Sequence, residues 1–155
     1  MTRVTDFDLQ SAHKYFSVQC FNKAWDLIGK SDRSLEEEEQ MVQLSMSSLW
    51  HWTQREDFTD TNASIAFWQL ARVYALLERV PEARRYAKLC LDVSQKEGVE
   101  PFFLAYAYEA LARAEMTAGN PDTMQAYLAA AHKAAESISE VDEREMVLAD
   151  LRTIK

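Results

Sequence analysis

The sequence predicts an all-α fold of about seven antiparallel helices, paired into hairpins and stacked in one array. Three observations carry that expectation. Glycine and proline are scarce, three of each in 155 residues, while Ala, Leu, Glu, Gln, Met and Arg abound, which favours helix over strand. Apolar positions recur at helical spacing, and no segment alternates apolar and polar residues as a half-buried strand does. Every Gly and Pro falls at a joint between those segments, with Pro near expected helix starts and Gly just past expected ends.

The first helix is expected over residues 7–28, closed by Gly29. The second, over 34–54, opens on Ser34 followed by Glu36, Glu37, Glu38 and Glu39. Acids in a first turn complement the helix dipole and complete a capping box with the serine, so a helix start explains the run better than a metal site. The third is expected over 62–79, the fourth over 81–97 between Pro81 and Gly98, and the fifth over 101–118 between Pro101 and Gly119. Asn120 and Pro121 provide an N-cap and a first residue for the sixth, over 121–138. The seventh, over 142–153, begins with charge at Asp142, Glu143, Arg144 and Glu145, and offers Met146, Val147, Leu151 and Ile154 to the sixth as a closing cap.

Most links are short, and short links force neighbouring helices to run antiparallel. The longest, residues 55–61, is polar except for Phe58 and reads as a loop inside one continuous stack. Gly/Ser-rich and Pro-rich linkers are absent, and neither flanking piece is expected to close a core alone. The whole chain, 1–155, is thus expected to be one domain, with 62–138 its clearest repeat region and 139–155 its capping helix.

Composition narrows the setting. With 48% hydrophobic and 27% charged residues the chain is globular rather than disordered. A net charge of −8, gathered in the second helix and the C-terminal tail, opposes a phosphate backbone, so nucleic acid is not an expected partner. The charged N-terminus lacks the apolar core of a secretory signal, and the longest apolar run, from Phe102 to Tyr108, is far below the roughly 18 residues of a membrane span. A cytoplasmic protein without membrane contact is expected. Cys20 and Cys90 lie on different helices without C-x-x-C spacing and read as buried free thiols in a reducing compartment.

Self-similarity adds a family likeness. Phe67-x2-Leu70-Ala71-x2-Tyr74, followed by Ala83, is echoed by Tyr108-x2-Leu111-Ala112-x2-Glu115, followed by Gly119, Met124 and Leu128. The small residue in each motif lets two helices approach closely. With HW at 51–52, WQLARVYALLER at 68–79 and LAYAYEALARA at 104–114, the chain resembles the tetratricopeptide (TPR)-like family, and within it a group of bacterial TPR-like proteins of unassigned function. It departs from the regular pattern in four ways, the first being Gln95 where the first repeat should end in Pro. Glu115 replaces a Tyr, Met124 replaces a small residue, and Ala71 and Ala112 lie 41 positions apart against about 34 in a regular repeat.

The resemblance implies a short right-handed α-solenoid whose concave groove, lined by the first helix of each pair, binds extended or helical peptide segments. Counted from Ala71 and Ala112, the groove-facing set is Trp68, Arg72, Tyr106, Glu109 and Arg113. Aromatics and arginines dominate interface hot spots and carboxylate recognition. The residues also allow an internal role, with Trp68 and Tyr106 filling the space between hairpins and Arg72 paired with Glu109.

Signals for chemistry are few. His13, His51 and His132 fall on three helices without a paired metal-binding spacing. His51, flanked by Trp50 and Trp52 and followed by Arg55, Glu56 and Asp57, is the candidate for a pocket formed with Trp52. The other reading packs alternate members of Trp50-His51-Trp52 into the core or a subunit contact. No phosphate loop, nucleophile elbow or dinucleotide fingerprint occurs, so no cofactor is expected. Arg84, Arg85 and Tyr86 make a small basic patch balanced by Glu82 and Asp92, a solvated face. The functional expectation is a noncatalytic module that binds a protein, a peptide or a second copy of itself. The alternatives are a small-ligand receptor or enzyme using His51 and Trp52, and a structural homo-oligomerisation domain.

Overall fold

Local sequence signals set most of the helix ends. In a computed structural model that describes residues 7–155, the chain forms seven α-helices and, among the described residues, no strand. α1 (Leu9–Ile28) starts at Asp8, whose side chain accepts from the Ser11 N–H. α2 (Leu35–Thr53) opens with the expected capping box, in which Ser34 Oγ accepts from the Glu37 N–H and the Glu37 carboxylate accepts from the Ser34 N–H. A second capping box, Thr59 with Asn62, starts α3 (Asp60–Leu76) two residues before its expected start.

α3 also ends earlier than position 79. Glu78 adopts φ 56°, and the N–H groups of Glu78 and Arg79 return to the carbonyls of Ala75 and Tyr74, the pattern of a left-handed helix stop made here without glycine. α4 is Val80–Ser94, α5 Pro101–Ala118, α6 Pro121–Glu136 and α7 Val141–Leu151. Gly119 closes α5 at φ 74°, where glycine is needed, and the Asn120 N–H donates to Glu115 O at 3.0 Å. Asn120 holds the N-cap position of α6 but does not cap it with its side chain. Its Nδ2 donates instead to the Glu115 carboxylate at 2.9 Å.

The chain divides into two compact units, one ending at Phe58 and the other spanning Thr59–Lys155. The division falls inside the polar stretch that was expected to be a loop within one stack. In the first unit α1 packs on α2, and the buried residues are His13, Ser17 and Ala24 facing Met41, Ser45 and Ser48. Small side chains bring the helices close enough for Ser48 Oγ to donate to Ser17 O at 2.7 Å. Phe7, Leu9, Tyr15, Phe16, Val18, Leu35 and Trp50 remain exposed.

In the second unit α5 is the centre, packed against α3, α4, α6 and α7. Ala71, Ala83 and Ala112 of the two motifs are buried, and so are Ala87, Ala107 and Ala131. One core cluster gathers Tyr106, Met124, Leu128, Ile138, Val147, Leu151 and Ile154, and the other gathers Ala71, Cys90, Leu91 and Leu111. Burying each large aliphatic side chain contributes about 1.5–3 kcal/mol. α7 packs on both α5 and α6, burying Val147, Leu151 and Ile154 and leaving Met146 exposed.

Both thiols are free. Cys90 is buried, which pushes its thiol pKa up to about 11, whereas Cys20 is only half-buried. Among the described residues, no helix is long and apolar enough to cross a membrane.

Candidate functional site

Helical spacing places Trp68 and Arg72 on one face of α3, and Tyr106, Glu109 and Arg113 on one face of α5. All five meet. Glu109, with 0% exposure, accepts from Trp68 Nε1 at 2.8 Å, Arg113 Nε at 2.6 Å and Arg72 Nη2 at 3.3 Å. Arg113 continues to α7 and its end, donating to Thr153 Oγ1 at 2.9 Å and Asp150 O at 3.4 Å. The Tyr106 hydroxyl donates to the Asp150 carboxylate at 2.7 Å. A carboxylate without water is tolerated only when donors surround it, and these donors come from two helices. Burial lowers the Arg72 pKa while Glu109 acts to raise it.

The internal reading of the charged members therefore describes their geometry: Arg72 and Arg113 both pair with Glu109. The two aromatics border open space. Ser64, Ile65 and Trp68 of α3, Phe102, Phe103 and Tyr106 of α5 and Met146 of α7 enclose a half-open cleft of about 250 Å³. Trp68 and Tyr106 meet edge to face at 5.3 Å, and Phe102 meets Tyr106 at 5.1 Å. Burial and the Asp150 carboxylate raise the Tyr106 pKa, so its hydroxyl stays protonated.

Ile65, Phe102, Phe103 and Met146 were not among the expected site residues. A signal for three of them existed, because Ile65 precedes Trp68 by three positions and Phe102 and Phe103 precede Tyr106 by four and three, one helical turn along the same face. Met146 carried no such signal, since it was assigned to the stripe facing α6.

His51 and Trp52 take different partners. His51 Nδ1 lies 2.9 Å from His13 Nδ1, within a cluster completed by the rings of Phe16 and Trp50. Trp52 carries the Arg55 guanidinium 3.8 Å above its ring, and Arg55 grips Asp57 with bonds of 2.8 and 2.7 Å. That grip lowers the Asp57 pKa to about 2. The His51 pKa is lowered by burial and then by His13. Of the two carboxylates that follow His51 in the sequence, Glu56 and Asp57, the second thus serves Arg55.

The basic patch is also rearranged. Glu82 pairs with Arg79 and Asp92 with Lys88, while Arg84 donates to both oxygens of Glu115 at 2.7 and 2.9 Å. Tyr86 stacks on Tyr74 with planes 7° apart. Glu115, standing where the repeat pattern has Tyr, is buried and joins Arg84 to Asn120. Among the described residues, no three His, Cys, Asp or Glu side chains converge as metal ligands. No protein-family model, curated protein or solved structure matches the chain.

Proposed function

We propose that this chain is a noncatalytic TPR-like interaction module, and that the cleft between α3, α5 and α7 receives a large apolar side chain from a partner protein segment. The observation that carries this reading is an open apolar cleft whose two central aromatic walls are already anchored, Trp68 to Glu109 and Tyr106 to Asp150. Walls held before binding lose little side-chain freedom when a ligand arrives. Arg72, Glu109 and Arg113 then act as positioning residues beneath the cleft, and Trp68 and Tyr106 as its contact surface.

Size favours a side-chain anchor. At about 250 Å³ the cleft falls below the roughly 300–1,000 Å³ usual for small-molecule sites. Its one ionisable wall, Tyr106, has committed its proton to Asp150, which leaves no acid or base lining the cleft for catalysis. The cleft is lined from α3, α5 and α7 and by no residue of α4 or α6, which supports the TPR-like comparison. Two free cysteines support a reducing, cytoplasmic setting.

The test is selection of short peptides from a random displayed library on the full chain. Selected peptides should share one large apolar residue, and Ile65→Glu should weaken their binding about tenfold or more at an unchanged Tm. Equal binding by wild type and variant would remove the cleft from the interaction. A second reading, self-association, is favoured by the exposed apolar side chains of the first unit, including Phe16, Val18 and Trp50. Sedimentation of the full chain as a monomer at all working concentrations would end that reading.

A further inference from the structure

We infer that His13 and His51 form a proton-sharing latch that holds α1 to α2 near neutral pH and releases them in mild acid. The inference is independent of the cleft. The two Nδ1 atoms are 2.9 Å apart and the ring centroids 5.1 Å apart. That centroid distance is close to the greatest that two imidazoles joined nitrogen to nitrogen can have, so each Nδ1 points straight at the other. A shared metal ion would draw both nitrogens toward a point off that line and bring the centroids closer at the same nitrogen separation. The geometry is that of an N–H···N hydrogen bond, which requires a hydrogen on one Nδ1 and a lone pair on the other.

The neutral pair can take up one proton on the donor ring's Nε2 and keep the bond, but a second added proton, on the acceptor Nδ1, destroys it. Both Nδ1 atoms then carry hydrogen, and two positive rings face each other at contact distance. Little nearby offsets that charge. α1 carries no acid between Asp8 and Asp26, and the chain has none between Glu39 of α2 and Glu56 beyond its end. The charged side chains nearest in sequence are Lys14 on α1 and Arg55, Glu56 and Asp57 after α2. Arg55 donates to Ser17 at 3.0 Å and is bound to Asp57, whose carboxylate also interacts with Lys14. Neither imidazole has a carboxylate partner among the described residues.

The surrounding contacts make the hairpin sensitive to this repulsion. His13 is buried with its ring against Trp50 and His51, and the other buried residues of the hairpin are only Ser17, Ala24, Met41, Ser45 and Ser48. The direction of the linkage follows from His51, whose folded pKa lies below its ordinary 6.5. The unfolded state therefore takes up the proton first as pH falls. The contribution to stability is complete above about pH 6.5 and erodes as pH drops from there toward the folded pKa.

The test is hydrogen exchange of the full chain at about pH 7.5 and about pH 5, corrected for intrinsic exchange chemistry. In acid, amides around Ser17 and Ser48 should lose severalfold more protection than those of α5. His13→Asn places a neutral amide near the Nδ1 position and should flatten that response. Ring-proton NMR of the wild type should show the His51 ring taking up its proton below the ordinary imidazole range, whether or not the variant folds. Unchanged protection of α1 and α2 in acid, equal opening of the variant, or a His51 ring that titrates in the ordinary imidazole range would each overturn the latch.

Discussion

The α1–α2 hairpin and the five-helix unit from Thr59 onward are made of similar helices but are held together differently. The hairpin interface is built from Ser17, Ser45, Ser48 and the two histidines, with Ala24 and Met41 as its buried apolar members. Its specificity comes from hydrogen bonds between atoms that small side chains allow to meet. The second unit surrounds α5 with four other helices and buries aliphatic, aromatic and alanine contacts on several sides. It can therefore also contain the fully buried Glu109. The contrast teaches that a polar helix interface can choose its partner without burying much area, whereas a buried charge network requires a framework stabilised by other contacts.

The sharpest way to break that comparison is Glu109→Ala. It removes the carboxylate that Arg72, Arg113 and the Trp68 N–H share, and the expected loss is about 3–5 kcal/mol by urea denaturation, the range for breaking a buried pair. A loss under about 1 kcal/mol, the worth of an exposed pair, would show that water replaces the carboxylate. Met41→Ala should cost the hairpin about 2–3 kcal/mol, at the low end for a buried methionine because the interface is thin. Hydrogen exchange should confine the change to α1 and α2 while α5 stays protected. Spread of the effect into α5 would mean that the units unfold as one.

Ala71→Leu probes packing in the second unit, where Ala71 is buried between α3 and its neighbours. Overpacking should cost about 1–3 kcal/mol, seen as a lower Tm by calorimetry, and a neutral result would show that the neighbouring side chains can yield. The smallest effects separate two glycines. Gly119→Ala should lose about 1 kcal/mol because its φ of 74° disfavours a Cβ. Gly29→Ala should be neutral or gain up to about 1 kcal/mol, since its φ is −72° and the nearest atom to an added Cβ is 3.6 Å away.

Much of the helical layout was legible because its signals act within one turn. Ser34 with Glu37, Pro101, Gly119 and Pro121 each mark a boundary through groups a few residues away. The end of α3 was not legible, since Glu78 carries no glycine-like signal and the left-handed stop is made by an ordinary residue. The site divided in the same way. The spacing placed Trp68, Arg72, Tyr106, Glu109 and Arg113 on facing helix surfaces, but it could not say which atoms would pair. Nor could it show that Asn120 would turn toward Glu115 rather than cap α6.

The sequence by itself determined where helices form and which alanines mark their close approaches, because capping, proline and glycine geometry and apolar periodicity are local properties. Tertiary structure alone decided that Glu109 gathers Trp68, Arg72 and Arg113, that Met146 joins Phe102 and Ile65 at the cleft, and that His13 meets His51 across 38 positions of chain. Those outcomes depend on how helices lie against one another. A few ångströms of displacement separate a buried ion pair from an exposed arginine, and no spacing along one helix encodes that distance.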